Sequence, residues 1–237
     1  GVTDGGQWNG YTRPANLIAT DPSFDRIADL YYKELTRLYG KADYYSMDPF
    51  HESADNRAVD YAACGRKLLA AMKRVNPKAV WVVQGWTENP RPAMADSLSA
   101  QDLMVLDLFS ECRPMFGAPS VWRRDKGYGD HPWLFCMLEN FGANVGLHGR
   151  MDQLIHNFRL AAAPGSPLQS ARKHLRGWGY TMEGSENNPV MFELMSELPW
   201  MTDSLPKDED IAAYKQRWLN SYVRARYGVA DPVLQQV

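Results

Sequence analysis

The stretch Ala79-Val80-Trp81-Val82-Val83-Gln84-Gly85-Trp86 sets five apolar residues in a row before it turns polar. A strand with one wet face would alternate, so a short unbroken apolar run bounded by a glycine reads as a parallel strand covered on both faces. Two further runs of the same kind are Met104-Val105-Leu106-Asp107-Leu108-Phe109 and Trp133-Leu134-Phe135-Cys136-Met137-Leu138. Tyr44-Tyr45-Ser46-Met47-Asp48 and Trp178-Gly179-Tyr180-Thr181-Met182 are shorter candidates, making five strands in all.

Helical spacing fills the intervals. Asp21-Pro22 offers a cap and a first-turn proline, and Ile27, Leu30, Tyr31, Leu35 and Leu38 then recur with helical period up to Gly40. Further helices are expected over Arg57 to Val75, Arg150 to Ala162, Pro189 to Leu198 and Asp208 to Tyr227, the last closed by Gly228. The alternation is that of an α/β fold. Ser204-Leu205-Pro206-Lys207-Asp208 reads as a linker, which puts a boundary between residues 1–203 and a helical region over 204–237.

Parallel strands with helical crossovers fit a doubly wound sheet or part of a (β/α)8 barrel. No G-x-G-x-x-G follows a strand, and Gly142, Gly146 and Gly149 have the wrong spacing for a nucleotide loop. Polar residues instead gather where strands end: His51-Glu52, Gln84 with Trp86, Glu111, Glu139-Asn140 and Glu183. That is where a barrel keeps its functional groups. The expectation is therefore an α/β chain forming the C-terminal part of a (β/α)8 TIM-like barrel, followed by the start of an all-helical domain.

Composition removes several functions. With 26 Lys+Arg against 28 Asp+Glu there is no cationic footprint for nucleic acid. No apolar stretch approaches the roughly 20 residues that span a bilayer. Three cysteines without a CxxC pair indicate neither a zinc knuckle nor a disulfide scaffold. His51-Glu52-Ser53-Ala54-Asp55 approaches HExxH, but the fifth residue is Asp55 and Pro49 argues for a loop. No Gly-x-Ser-x-Gly elbow occurs. Neither a cofactor nor a metal is expected.

Carboxylates at strand ends are the remaining chemistry, because two of them across a sugar can supply the acid and the nucleophile of glycoside cleavage. Glu52 follows a strand directly with His51 beside it; a loop acid is its plain alternative. Glu183 precedes Gly184, which permits close approach of a ligand, and Glu186 is an open alternative to it. Eight tryptophans supply stacking surface for sugar faces. Trp86 at a strand end and Trp8 and Trp122 in polar loops are the candidates, whereas Trp81, Trp133 and Trp218 read as core.

Asp48-Pro49-Phe50-His51-Glu52, the Ala79 to Trp86 stretch, Val105-Leu106-Asp107-Leu108-Phe109-Ser110-Glu111 and Trp133 to Gly142, in this order, resemble α-N-acetylglucosaminidases of glycoside hydrolase family 89. The likeness continues through Met182-Glu183-Gly184, Met195 to Trp200 and Arg224 to Val229. It implies a retaining hydrolase releasing terminal α-linked N-acetylglucosamine from glycans, with Glu52 as general acid/base and Glu183 as nucleophile, and with His51, Trp86, Asn140, Trp8 and Trp122 toward the sugar. Relatives include the lysosomal enzyme of heparan sulfate degradation, and secretion or periplasmic export is implied for a bacterial member. His51 and Glu139 depart from the residues common in the family, Asn before the acid and His or Gln respectively. The likeness starts near the third barrel strand, so the rest of the barrel or another chain is expected to cover the open edges. A carbohydrate-binding fragment without turnover is the alternative function.

Overall fold

The computed structural model describes residues 2–52, 59–117, 127–140, 142 and 148–234. Four two-residue strands open the chain: β1 (Val2–Thr3) pairs with β4 (Asn16–Leu17), and β2 (Gln7–Trp8) with β3 (Tyr11–Thr12), both antiparallel. Then follow α1 (Pro22–Tyr39), β5 (Tyr44–Ser46), α2 (Tyr61–Val75), β6 (Val80–Gly85), α3 (Pro92–Ala95), β7 (Leu103–Asp107), β8 (Trp133–Met137), α4 (Met151–Ala162), α5 (Gln169–Arg172), β9 (Leu175–Tyr180), α6 (Pro189–Glu197) and α7 (Ile211–Tyr227). The last five strands form one sheet in sequential order, β5-β6-β7-β8-β9. The β5–β6 and β8–β9 pairings are parallel.

Two compact units divide the chain: Gly1–Val105 with Asp130–Pro132, and Leu106–Gly129 with Trp133–Val237. In the first, Asp21 accepts the Ser23 amide at 2.8 Å and starts α1 as its spacing predicts. Its core gathers Tyr32, Tyr45, Leu68, Met72, Trp81 and Val83. Trp81 is fully enclosed, yet its indole N–H reaches the Met47 carbonyl at 2.8 Å, so the ring is buried without an orphaned donor.

In the second unit Phe116 stacks on Trp133 with centroids 4.8 Å apart, and Phe135 meets Phe158 edge-on at 5.1 Å. Leu154, Leu194, Met195 and Leu198 complete that core. Gly228 ends α7 in the left-handed region, at φ 78°, the conformation that favours glycine just past a helix.

Some boundaries differ from expectation. The second helix begins at Tyr61 because Asp60 caps it, accepting the Ala63 amide at 2.9 Å. β9 starts at Leu175, three residues ahead of Trp178, since its ladder to β8 begins there. Leu198–Met201 and Asp208–Asp210 are short 3-10 turns at the ends of the two last expected helices. The N-terminal strand pairs are not foreseen by periodicity, which a two-residue strand cannot display.

Candidate active site

In the first unit β5 leads into Asp48, whose Oδ1 accepts the Gln84 amide at 2.7 Å and the Asn89 side-chain amide at 2.9 Å. Burial pushes this carboxyl upward, and the two hydrogen bonds oppose the shift. Asn89, itself buried, also donates to the Gln84 carbonyl at 2.6 Å. The end of β5 is thereby tied to the end of β6 before the chain reaches its candidate acid.

Glu52 is exposed and stands at φ 50°, a left-handed conformation that costs a non-glycine residue on the order of 1 kcal/mol. Two donors hold it there: Arg13 Nη2 reaches its backbone carbonyl at 3.2 Å, and Trp86 Nε1 its carboxylate Oε1 at 3.0 Å. Trp86 is only 8% exposed. What this ring offers Glu52 is its N–H, a polar role that the reading of it as a stacking surface does not include. Trp8, 48% exposed on β2, lines a cavity of about 470 Å³ together with Tyr11, Arg13, Pro49 and His51. His51 Nδ1 is buried there without a hydrogen-bond partner among the described residues.

In the second unit Asp107, the last residue of β7, is fully buried and accepts the Met115 and Phe116 amides, the latter at 2.7 Å. Burial raises its carboxyl to about 6 against those bonds. Glu111, 1% exposed, accepts the amides of Leu138 at 3.0 Å and Glu139 at 2.6 Å on one oxygen; burial pushes it up to about 8. Glu139 follows β8 at φ 48°, its own carboxyl raised by burial, and accepts the Asn188 amide at 3.3 Å.

Asn140 is the pivot of this unit. Its carbonyl accepts the Glu183 amide at 3.1 Å and its side-chain amide donates to the Glu186 carbonyl. A Cβ on Gly184 would lie 2.6 Å from Asn140 Nδ2 and 2.7 Å from Oδ1, so the glycine serves close packing. The exposed carboxylate of Glu183 accepts the Gly142 amide at 3.1 Å.

Trp8, His51, Glu52 and Trp86 thus belong to the first unit, and Asn140 and Glu183 to the second. Trp122 and Asp55 lie outside the described residues. Asp48 and Asn89 were not foreseen as supports. Nor were the two-amide clamps on Asp107 and Glu111, although a carboxylate ending an apolar strand, as Asp107 does, is a visible signal. Among the described residues no helix is long and apolar enough to cross a membrane.

The family described as alpha-N-acetylglucosaminidase (NAGLU) TIM-barrel domain matches residues 1–202. The chain belongs to this family. Its five-stranded sheet and the helices through α6 are accordingly part of an α-N-acetylglucosaminidase TIM-barrel domain. Human alpha-N-acetylglucosaminidase is 32% identical over 250 residues, which cover 98% of this chain and 31% of the human protein. The family 89 glycoside hydrolase of Clostridium perfringens, solved with 2-acetamido-1,2-dideoxynojirmycin and with PUGNAc, is similar with a TM-score of 0.80 and 27% identity over 100% of this chain and 25% of that one. A form of that hydrolase with two glutamates replaced by glutamine, in complex with its substrate GlcNAc-alpha-1,4-galactose, is similar with a TM-score of 0.78. The chain spans about a quarter to a third of the length of these relatives.

Proposed function

We propose that this α-N-acetylglucosaminidase domain carries the two reacting carboxylates of a retaining hydrolase for terminal α-linked N-acetylglucosamine, Glu52 as general acid/base and Glu183 as nucleophile. The observation that carries the reading is shared by the two residues. Each is an exposed carboxylate just beyond the end of a sheet strand, with a fixed N–H donor on one oxygen: Trp86 Nε1 for Glu52 and the Gly142 amide for Glu183. Substrate binding by the doubly Glu-to-Gln Clostridium hydrolase supports a pair of glutamates dispensable for binding. Glu183 is favoured over Glu186, because Asn140 engages Glu186 through its backbone carbonyl.

Stereochemistry requires both groups. Anchimeric attack by the 2-acetamido oxygen must come from the face opposite the leaving group, and in the α-linked sugar the two are cis. The protein therefore supplies the nucleophile. A Glu183 oxygen bonds to the anomeric carbon as the glycosidic C–O bond breaks, and the Glu52 proton passes to the departing oxygen. The Glu52 carboxylate then takes a proton from water, whose oxygen displaces Glu183 and restores the α configuration. His51, Trp8, Trp86, Trp122 and Asn140 are proposed around the sugar, and residues 204–237 as the opening of a helical region.

Release of the aryl group from an aryl α-N-acetylglucosaminide, measured on the full-length protein that carries this chain, tests the reading. Turnover with retained configuration is expected. Sugar binding without turnover would instead make the chain a carbohydrate-binding element.

A further inference from the structure

Behind Glu183 runs a series of buried polar contacts that the two-carboxylate chemistry does not use. It begins on α4, where Asn157, 2% exposed, donates to the carbonyls of Ser110 and Glu111 at 3.0 Å each. The Glu111 backbone is thus pinned from one side while its carboxyl reaches across to the end of β8. There a single oxygen, Oε1, collects the amides of two successive residues, Leu138 and Glu139.

Successive amides of an extended strand point in opposite directions, so two on one acceptor require the chain to leave the strand. It has done so by Leu138, since β8 ends at Met137, and Glu139 follows at φ 48°, a conformation with a cost of its own for a side chain with Cβ. The next residue is Asn140, which accepts the Glu183 amide and packs against Gly184 with no room for a methyl group. Oε2 of Glu111 has no hydrogen-bond partner among the described residues, so the group serves through the other oxygen.

We propose that Glu111 is a positioning residue for Glu183: by gathering the Leu138 and Glu139 amides it turns the chain out of β8 and sets Asn140 where it holds the Glu183 loop. The inference deepens the function proposed above and rests on it for the reactivity of Glu183. A buried carboxyl kept only for packing would be replaceable by an apolar side chain of like volume, often with a gain in stability. A positioning carboxyl would not, because leucine cannot accept the two amides.

The test compares Glu111→Leu, which keeps the volume and loses the acceptor, with Glu111→Gln, which keeps an acceptor oxygen, in the full-length natural protein. Three quantities are read: melting temperature, hydrogen exchange of the Glu183 amide, and kcat and KM on an aryl α-N-acetylglucosaminide. In Glu111→Leu the two orphaned amides should lower melting temperature, the exchange should quicken, and at temperatures where the variant is fully folded kcat should still fall by about tenfold or more, the equivalent of about 1.4 kcal/mol, at nearly constant KM. Glu111→Gln should restore exchange and kcat. Should Glu111→Leu not fold, Glu111→Asp, which withdraws the acceptor by one methylene, is held to the same criteria. Unchanged exchange and kcat in a folded variant, or losses that follow melting temperature and are not rescued by glutamine, would overturn the proposal. If the unsubstituted protein lacks turnover, the function reading falls, and the exchange of the Glu183 amide alone decides the role of Glu111.

Discussion

The indole Nε1 of Trp86 lies 3.0 Å from Oε1 of Glu52, so a ring that is 8% exposed presents its polar edge to an exposed carboxylate. The contact joins the residue after β6 to the loop after β5. It fixes a side chain whose backbone already stands in a left-handed conformation.

Trp86→Phe removes that donor and keeps most of the buried ring. Without the donor the Glu52 side chain is free to turn away from the departing oxygen, and protonation by a positioned acid is worth about 10²–10⁴-fold. Initial rates on substrates with poor leaving groups should therefore fall by about tenfold or more, and those on activated aryl glycosides by much less. Equal losses on the two classes would place the role of Trp86 in sugar binding. Trp218→Ala is the control: Trp218 is buried, stacks on Tyr222 and donates to Glu197 at 2.6 Å, so its loss should cost stability by about 3–5 kcal/mol, read by denaturant unfolding.

Gly184→Ala brings a methyl group to 2.6 Å from the Asn140 amide. Overpacking of this kind costs about 1–3 kcal/mol, and here it pushes directly on the loop that carries Glu183. Both melting temperature and kcat should drop. In the double variant with Asn140→Ala the clash disappears, so stability should recover in part while kcat stays low; a double-mutant cycle reads the coupling.

Stability should fall as pH rises from about 4.5 to about 8. Glu111 is raised by burial to about 8 and Asp107 to about 6, so across this window the folded protein holds protons that the unfolded chain releases. Their contribution is complete in acid, lost progressively through the window and constant above it. Surface carboxylates such as Asp25, lowered chiefly by its hydrogen bond to Lys67, act in the opposite sense and only below the ordinary carboxylate range. Glu111→Gln should flatten the curve of melting temperature against pH above about 6. A wild-type curve that rises with pH there would contradict the burial of a neutral carboxyl.

Glu52→Ala and Glu183→Ala should differ in kind. Without the acid, activated leaving groups still depart and the glycosyl-enzyme accumulates, so added azide should restore turnover and yield an α-glycosyl azide. Without the nucleophile, good and poor leaving groups should suffer alike, and azide should not restore an α product. Steady-state rates with and without azide, with product configuration by NMR, separate the two.

Much of this is visible in the sequence where a residue's role is set by its neighbours in the chain. The apolar run from Ala79 to Val83 and the capped start at Asp21 are local facts, and the structure places β6 and the start of α1 there. The strand ends are also legible, because a switch from apolar to polar residues marks where a side chain meets water. Glu111 is different: its partners are amides 27 and 28 positions away, and no periodicity encodes which carboxylate will find which backbone. The hydrogen bond from Trp86 to Glu52 is likewise not written in the sequence, since an indole can serve by its face or by its N–H. The early start of β9 was hidden because Leu175-Arg176-Gly177 has none of the β-branched or aromatic residues that announce a strand.

The central claim is that Glu183 bonds to the sugar. A 2-deoxy-2-fluoro or 5-fluoro analogue of the α-linked substrate, with an activated leaving group, should trap that bond in the full-length protein, and peptide mass mapping then locates the label. The account predicts a single sugar on the peptide containing Glu183, formed faster than it is hydrolysed and absent from Glu183→Ala. A label on Glu52 or Glu186, or rapid turnover of the analogue with inverted configuration, would contradict it.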